Sequence, residues 1–237
     1  MKIIWNQAII DQFPEAGAHG AAFDFVERLD WETVEAHKIR AVEAVRTCGI
    51  RPELLVEQDF VKEWRAAYKK FGANPAKKRS SIEQLYKRGL QGNLVETKLN
   101  LVNLYCHLST VHRVPMGGYD MEKICGNISV RHSTGECFLG IGERVPEDAP
   151  SGWVVYADAQ GVICLSWNHR DSARTCIQPF TRRAVFFADA VSLPGMQRAA
   201  AAIDDLTATL TSSGSTLISR FHVGHGRVEA QFEEDIL

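Results

Sequence analysis

Between Trp31 and Cys48 the apolar residues Val34, Ile39, Val42 and Val45 recur at the spacing of one helix face, and Gly49 closes the segment. A second helix is predicted over 53–71, with Leu54, Leu55, Phe60, Val61, Trp64, Ala67 and Tyr68 along one stripe and Gly72 as its stop. Asn74-Pro75 reads as a turn. A third helix begins at Ser80 or Ser81, with Glu83 three residues after Ser80 in the capping-box position and Ile82, Leu85 and Leu90 apolar. From Thr97 to His112 the apolar set Leu99, Leu101, Val102, Leu104, Leu108 and Val111 suits a buried helix stopped before Pro115. That segment also carries Asn100, Asn103, Tyr105, His107 and Ser109, unusually many polar groups for a core element.

Shorter runs predict strands. Lys2–Ile10 and Ala16–Val26 open the chain as two of them. Ile128–Arg131, Cys137–Ile141, Trp153–Ala157, Val162–Trp167 and Ala184–Ala188 follow the helices, separated by Gly, Pro, Asp and Asn turns. Residues 191–237 hold one more helix, about Gly195–Leu210 after Pro194, and a tail. Residues 1–237 are therefore expected to form a single α+β domain with helices packed on a mostly antiparallel sheet.

Composition narrows the class. With 237 residues, 45% hydrophobic and 24% charged, the chain is globular and not disordered, collagenous or coiled-coil. The six cysteines form no C-x-x-C pair and no scaffold-like spacing, which argues against a secreted disulfide framework or a zinc ribbon and for a reducing, cytoplasmic setting. No apolar run reaches the roughly 18 residues of a membrane span, and the opening Met1-Lys2-Ile3-Ile4-Trp5-Asn6 lacks the pattern of a signal peptide. No membrane partner is expected.

Charge changes the picture further, because the net −2 is unevenly spread. Residues 1–61 carry six basic against eleven acidic residues, whereas residues 62–88 carry nine basic residues against Glu63 and Glu83. A local basic block on a near-neutral chain is what a polyanion held on one face requires, and equally what a solvated helix face shows. Lys69, Lys70, Lys77, Lys78 and Arg79 are the candidates for phosphate contacts.

Most catalytic signatures are missing. There is no G-x-S-x-G elbow, no G-x-G-x-x-G and no G-x-x-x-x-G-K-[ST]. The pairs His107/His112 and His222/His225 have no carboxylate at metal-ligand spacing, so neither a metal nor a cofactor is expected. Cys106 and His107 are neighbours on a helix and point about 100° apart, which disfavours a dyad. Two segments do carry information. In Pro115-Met116-Gly117-Gly118-Tyr119-Asp120 the two glycines leave bare backbone that a ligand can approach, or that a tight turn needs. Trp167-Asn168-His169-Arg170-Asp171-Ser172 ends an apolar strand with a run of hydrogen-bonding groups, more than a connecting loop needs.

The run Leu101-Val102-Asn103-Leu104-Tyr105-Cys106-His107-Leu108 through Pro115–Asp120 resembles the editing domain of the phenylalanyl-tRNA synthetase β subunit, and more closely that domain's freestanding bacterial relatives. Trp64-Arg65-Ala66-Ala67-Tyr68, Ser81-Ile82-Glu83-Gln84-Leu85, Val155-Tyr156-Ala157-Asp158, Gly161-Val162-Ile163-Cys164 and Trp167–Ser172 follow the same family pattern. The likeness spans about residues 60–190. On the central helix, Asn103 and Cys106 stand where the family usually has Asp and Asn.

That resemblance implies hydrolysis of the ester between a wrong amino acid and the terminal adenosine of tRNA, and within the freestanding group it points to removal of canavanine from tRNA specific for arginine. It implies mischarged aminoacyl-tRNA as partner and no DNA. The reaction needs an oriented water and donors for the developing oxyanion. On this reading Gly117 and Gly118 supply backbone donors, and Tyr105, His107 and Asn168 hold the reacting group. Asp171 recognises the amino acid, with Glu136 and Asp189 behind it, and Asn103, Met116, Tyr119 and Arg170 complete the substrate contacts. A non-catalytic tRNA-binding module and an unrelated small-molecule hydrolase are the alternatives.

Overall fold

A computed structural model describes residues 1–25 and 29–232. The predicted strand end at Val26 and the tail from residue 233 lie outside the described residues. In chain order the elements are β1 (Lys2–Trp5), α1 (Gln7–Gln12), β2 (Gly17–Asp24), α2 (Trp31–Thr47), α3 (Asp59–Lys70), α4 (Ser81–Leu90), α5 (Asn100–His112) and β3 (Met116–Asp120). There follow β4 (Ile128–His132), β5 (Cys137–Phe138), β6 (Glu147–Asp148), β7 (Val154–Asp158), β8 (Gly161–Leu165), β9 (Arg170–Asp171), β10 (Arg183–Ala190), α6 (Leu193–Ser212), β11 (Thr216–Gly224) and β12 (Glu229–Gln231).

The class is α+β, with the strands divided between two principal sheets. One runs β12-β1-β4-β7-β8-β9, with β1 and β4 parallel and the other pairs antiparallel. The other, β11-β2-β10-β3, is antiparallel throughout. Side-chain alternation assigns their faces. In β10, Ala184, Phe186, Ala188 and Ala190 pack with α5 and α6, while Val185 and Phe187 join a core shared with Trp5, Val130, Tyr156 and Ile163 of the other sheet and with Trp167 of the turn after β8. In β7, Val154 and Tyr156 enter that shared core, and Val155 and Ala157 pack with Phe138 and Ala149 on the far side.

Several expected elements change for local reasons. The predicted strand Lys2–Ile10 stops at Trp5, because the Asn6 side chain accepts from Ala8 N at 2.9 Å and starts α1, which buries Ile9 and Ile10. The helix expected over 53–71 is split at Gln58, whose extended backbone separates a 3₁₀ segment, Pro52–Glu57, from α3. Ile39 and Val42 on α2 are exposed, and that helix buries Val34, His37, Ala41 and Val45 instead. No capping box forms at Ser80, whose side chain makes no cap bond. Glu83 is only 3% exposed and takes a bidentate bond from Arg65 at 2.7 and 2.9 Å, with Arg79 at 3.5 Å.

The segment Pro115–Asp120, expected as a loop, contains a strand. Arg113 turns the chain with φ 56°, and β3 then pairs with β10 from Met116↔Ala188 to Asp120↔Ala184. The predicted strand Cys137–Ile141 is paired only over Cys137–Phe138. Asp205 of α6 binds the helices together: Arg40 of α2 reaches it at 2.6 Å and His112 of α5 at 2.9 Å. Burial opposes its charge, but the bonds from His112, His37 and Arg40 outweigh that and hold the carboxyl far below its usual range.

Candidate functional site

A small cavity of about 60 Å³ lies where the two sheets face each other. Met116, Gly117 and Tyr119 of β3, Phe187 and Asp189 of β10, Tyr156 of β7, Cys164 of β8 and Asp171 of β9 wall it, and the turn Trp167–His169 and Ser81 at the start of α4 complete it. Strand pairing explains the arrangement. Asp171 lies opposite Cys164, so both side chains take the same face of their sheet, and Asp189 follows Phe187 by two residues on the core-facing side of β10.

The turn after β8 is strained. Ser166 and Trp167 both have left-handed backbones, with φ of 53° and 65°, which for a bulky residue costs on the order of 1–3 kcal/mol. Packing holds it: Trp167 N donates to Val154 O at 2.7 Å, and its indole meets Trp5, Phe13 and Trp64 edge-on at 5.1 to 5.7 Å. The turn presents Asn168, whose carbonyl accepts from Ser81 N at 3.1 Å and so ties α4 to the cavity.

Two carboxyls dominate the cavity's electrostatics. Tyr156 donates to Asp189 at 2.5 Å, Asn168 Nδ2 stands 3.5 Å from its other oxygen, and Tyr68 donates to Asn168 Oδ1 at 3.2 Å. Burial pushes Asp189 up to about 7, against the bonds from Tyr156 and Asn168 and with the nearby charge of Asp171 adding to the shift. Asp171 accepts from Tyr119 at 3.3 Å, and burial raises its carboxyl as well. Among the described residues neither carboxyl has a salt-bridge partner. Arg170 pairs with Leu165, which places it on the opposite face, and its guanidinium donates to Ile141 O at 3.2 Å.

Of the residues singled out from the sequence, Met116, Gly117, Tyr119, Asn168, Arg170, Asp171 and Asp189 line this cavity. Tyr105 packs with Phe186, ring centroids 6.1 Å apart, across the sheet from the cavity. His107 is buried beside Val95, whose carbonyl lies 3.2 Å from its Nε2, and burial lowers its pKa. Asn103 ties down the preceding loop through Thr97 N and Oγ1 at 2.7 and 2.9 Å. Glu136 closes its own turn with Ser133, Thr134 N and Arg131, bonds that overcome its burial and bring it down to about 2.

The glycines divide as well. Asp189 N donates to Pro115 O, which sets the ladder's alternation and turns the Gly117 N–H toward β10. Gly118 lies on the far face, where a Cβ would meet Phe186 at 2.8 Å and Ile177 at 2.9 Å. The Gly117 N–H is thus taken by the ladder.

Sequence reading passed over Ser81 and His169. Ser81 Oγ is buried at the cavity without a hydrogen-bond partner. His169 Nδ1 lies 2.7 Å from Arg79 O, so its Nδ1 carries the proton and Nε2 is the basic nitrogen, while burial lowers the ring's pKa and keeps it neutral. The signal for His169 was its place in the polar run after β8; Ser81 was disguised as a helix cap.

Of the basic block, Lys70 bonds Gln12 O, Lys78 reaches Glu147 at 3.1 Å and Arg79 meets Glu83. Lys69 and Lys77 are exposed, with no acidic partner among the described residues. The His169–Arg79 bond puts Arg79 next to a cavity residue.

Residues 63–208 match the B3/4 domain, a domain type found in the phenylalanyl-tRNA synthetase β subunit. The chain belongs to the B3/4 domain family. All elements that wall the cavity, from α4 to β10, fall inside the matched region. The chain is also similar to an N-terminal fragment of the phenylalanyl-tRNA synthetase β-subunit from Pyrococcus horikoshii, at 11% identity and a TM-score of 0.49. That likeness covers 93% of this chain and 53% of the other, so the chain spans about half the length of that structure. No curated protein sequence matches it.

Proposed function

We propose that the chain hydrolyses the ester of mischarged aminoacyl-tRNA, acting in trans, and that the amino acid removed carries a guanidinium-like side chain of the canavanine type. The observation that supports this reading is the pair of carboxyls, half-buried Asp171 and buried Asp189, that line one cavity with neither in a salt bridge among the described residues. Every aminoacyl ester brings an α-ammonium group, and a guanidinium-like side chain brings a second cation. Two carboxyls match two cations, and burial strengthens both pairings.

The chemistry follows from the remaining walls. His169 Nε2 takes a proton from water as its oxygen bonds to the ester carbonyl carbon, and the Ser81 hydroxyl donates to the oxyanion that forms. The bond to the ribose oxygen then breaks, and the imidazolium returns its proton to that oxygen. The exposed Lys69 and Lys77 take tRNA phosphates at the rim.

The test is a panel of canavanyl-, arginyl- and phenylalanyl-tRNA followed for loss of the ester. Canavanyl- and arginyl-tRNA should both be cleared faster than phenylalanyl-tRNA, and Asp171→Asn and Asp189→Asn should each slow them by roughly 10- to 100-fold. Absence of turnover on every ester would overturn the reading and leave a tRNA-binding module.

A further inference from the structure

A second, larger depression of about 440 Å³ lies between the start of α5 and the loop leading into β10. Its floor is apolar, built from Phe25, Leu29, Leu99, Leu101 and Ile177. Its charged side chains are Lys98 and Arg182, both exposed and without an acidic partner among the described residues. Among the described residues the charges of this apolar groove are both positive, which on a chain of net charge −2 calls for an anionic occupant with an apolar face.

The rim specifies that occupant more closely. Phe180 is 69% exposed, at the tip of a β-turn with Pro179 before it. Thr181 N donates to Gln178 O at 3.1 Å and Gln178 N to Thr181 Oγ1 at 2.9 Å, while Thr181 Oγ1 donates to Asp120 Oδ2 at 2.7 Å. A fixed turn that holds an aromatic ring in solvent is a prepared stacking surface. The backbone N–H groups of the first turn of α5 open beside the same groove, where Leu99 provides no side-chain cap.

We propose that this groove binds single-stranded RNA, with a base stacked on Phe180 and neighbouring phosphates on Lys98 and Arg182. Stacked bases alternating with phosphates on cations are how single strands are held without sequence readout. Asp120, which anchors the turn, also ends the strand that supplies Met116, Gly117 and Tyr119 to the cavity, but the groove floor belongs to the cluster on the helix-covered side of that sheet, so the binding does not rest on the deacylase reading.

Binding is measured by fluorescence anisotropy of the full chain with an uncharged, fluorescein-labelled RNA ten-mer and with the same sequence as a duplex. Phe180→Ala should weaken single-strand binding by roughly 5- to 150-fold, and Phe180→Trp should retain it. Lys98→Ala with Arg182→Ala should lower the slope of log affinity against log salt by about 1.4, or about 0.7 per lost contact. Equal affinity of wild type and Phe180→Ala, as expected if an apolar peptide segment occupies the groove, overturns the proposal, and so does a duplex that binds as tightly as the single strand. RNA binding through Phe180 without hydrolysis of any ester would keep the groove and remove the deacylase.

Discussion

Asp189 carries a penalty that depends on pH in a direction opposite to that of an ordinary folded carboxylate. Burial raises it from its usual 3.8 to about 7, a difference of about 3 units, or about 4 kcal/mol between its protonation states. Below about pH 4 the folded and unfolded chains both hold the proton. Between about pH 4 and 7 the unfolded chain releases it while the fold retains it, so stability falls as pH rises through that window and levels off above it. Asp189→Asn removes the titration, and its amide oxygen still accepts from Tyr156. The variant's stability relative to wild type should therefore climb by up to about 4 kcal/mol from about pH 4 to 7.5. Guanidinium unfolding of both proteins, followed by tryptophan fluorescence across that range, measures it, because Asp205 and Glu136 titrate alike in both and cancel. Asp171→Asn should shift the window of Asp189 to lower pH, since the neighbouring carboxylate contributes to the upward shift. Parallel stability curves for wild type and Asp189→Asn would refute the argument and show that water reaches the carboxyl.

Gly118→Ala should destabilise by about 1–3 kcal/mol because its Cβ meets Phe186 and Ile177, while Gly117→Ala, with nothing nearer than Tyr119 Oη at 3.9 Å, should keep wild-type stability and lose turnover by narrowing the cavity. Glu83→Gln, which leaves Arg65 and Arg79 without their carboxylate, should cost about 3 kcal/mol in denaturant unfolding. His169→Gln should reduce kcat by roughly 100-fold with KM unchanged, and wild-type kcat should fall only as pH drops through the lowered pKa of His169, below 6.5. Lys69→Ala with Lys77→Ala should flatten the salt dependence of tRNA binding by about 0.9 per contact on duplex, and an unchanged slope would place the tRNA elsewhere.

Elements with a long, consistent period were legible in the sequence: α5, α6 and the strand cores of β4, β7, β8 and β10 lie where their apolar spacing predicted them, and α2 has its predicted extent although it buries a different face. Two of the misread stretches share a cause, which is that tertiary partners overrode a local signal. Pro115–Asp120 looks like a loop by its glycines, yet Gly118 is small because Phe186 and Ile177 fill its space. Glu83 sits where a capping box places it, yet two arginines from outside the helix's first turn claim its carboxylate. On α5, period alone could not tell which polar residues face a ligand: Asn103 serves a loop, His107 a backbone carbonyl and Tyr105 the helix-covered face of the sheet.

The candidate site was legible to the extent that alternation along single strands is legible. The run Ala184-Val185-Phe186-Phe187-Ala188-Asp189-Ala190 is apolar on both faces except for one aspartate, and both faces of its strand are buried. A carboxyl there conflicts with every neighbouring choice, and such a conflict in an otherwise consistent sequence is the signal that made Asp189 a candidate. What no single strand reveals is its counterpart. Asp171 sits on a two-residue strand after a left-handed turn and reaches the same cavity only because β8 carries Cys164 opposite it and because Trp167 is clamped by Trp5, Phe13 and Trp64. The second carboxyl is thus positioned by aromatic packing from residues 5, 13 and 64, far from it in sequence. Shortening any of those rings should loosen the Ser166–Trp167 turn and, with it, the spacing of the two carboxyls on which the proposed recognition of a guanidinium-like amino acid depends.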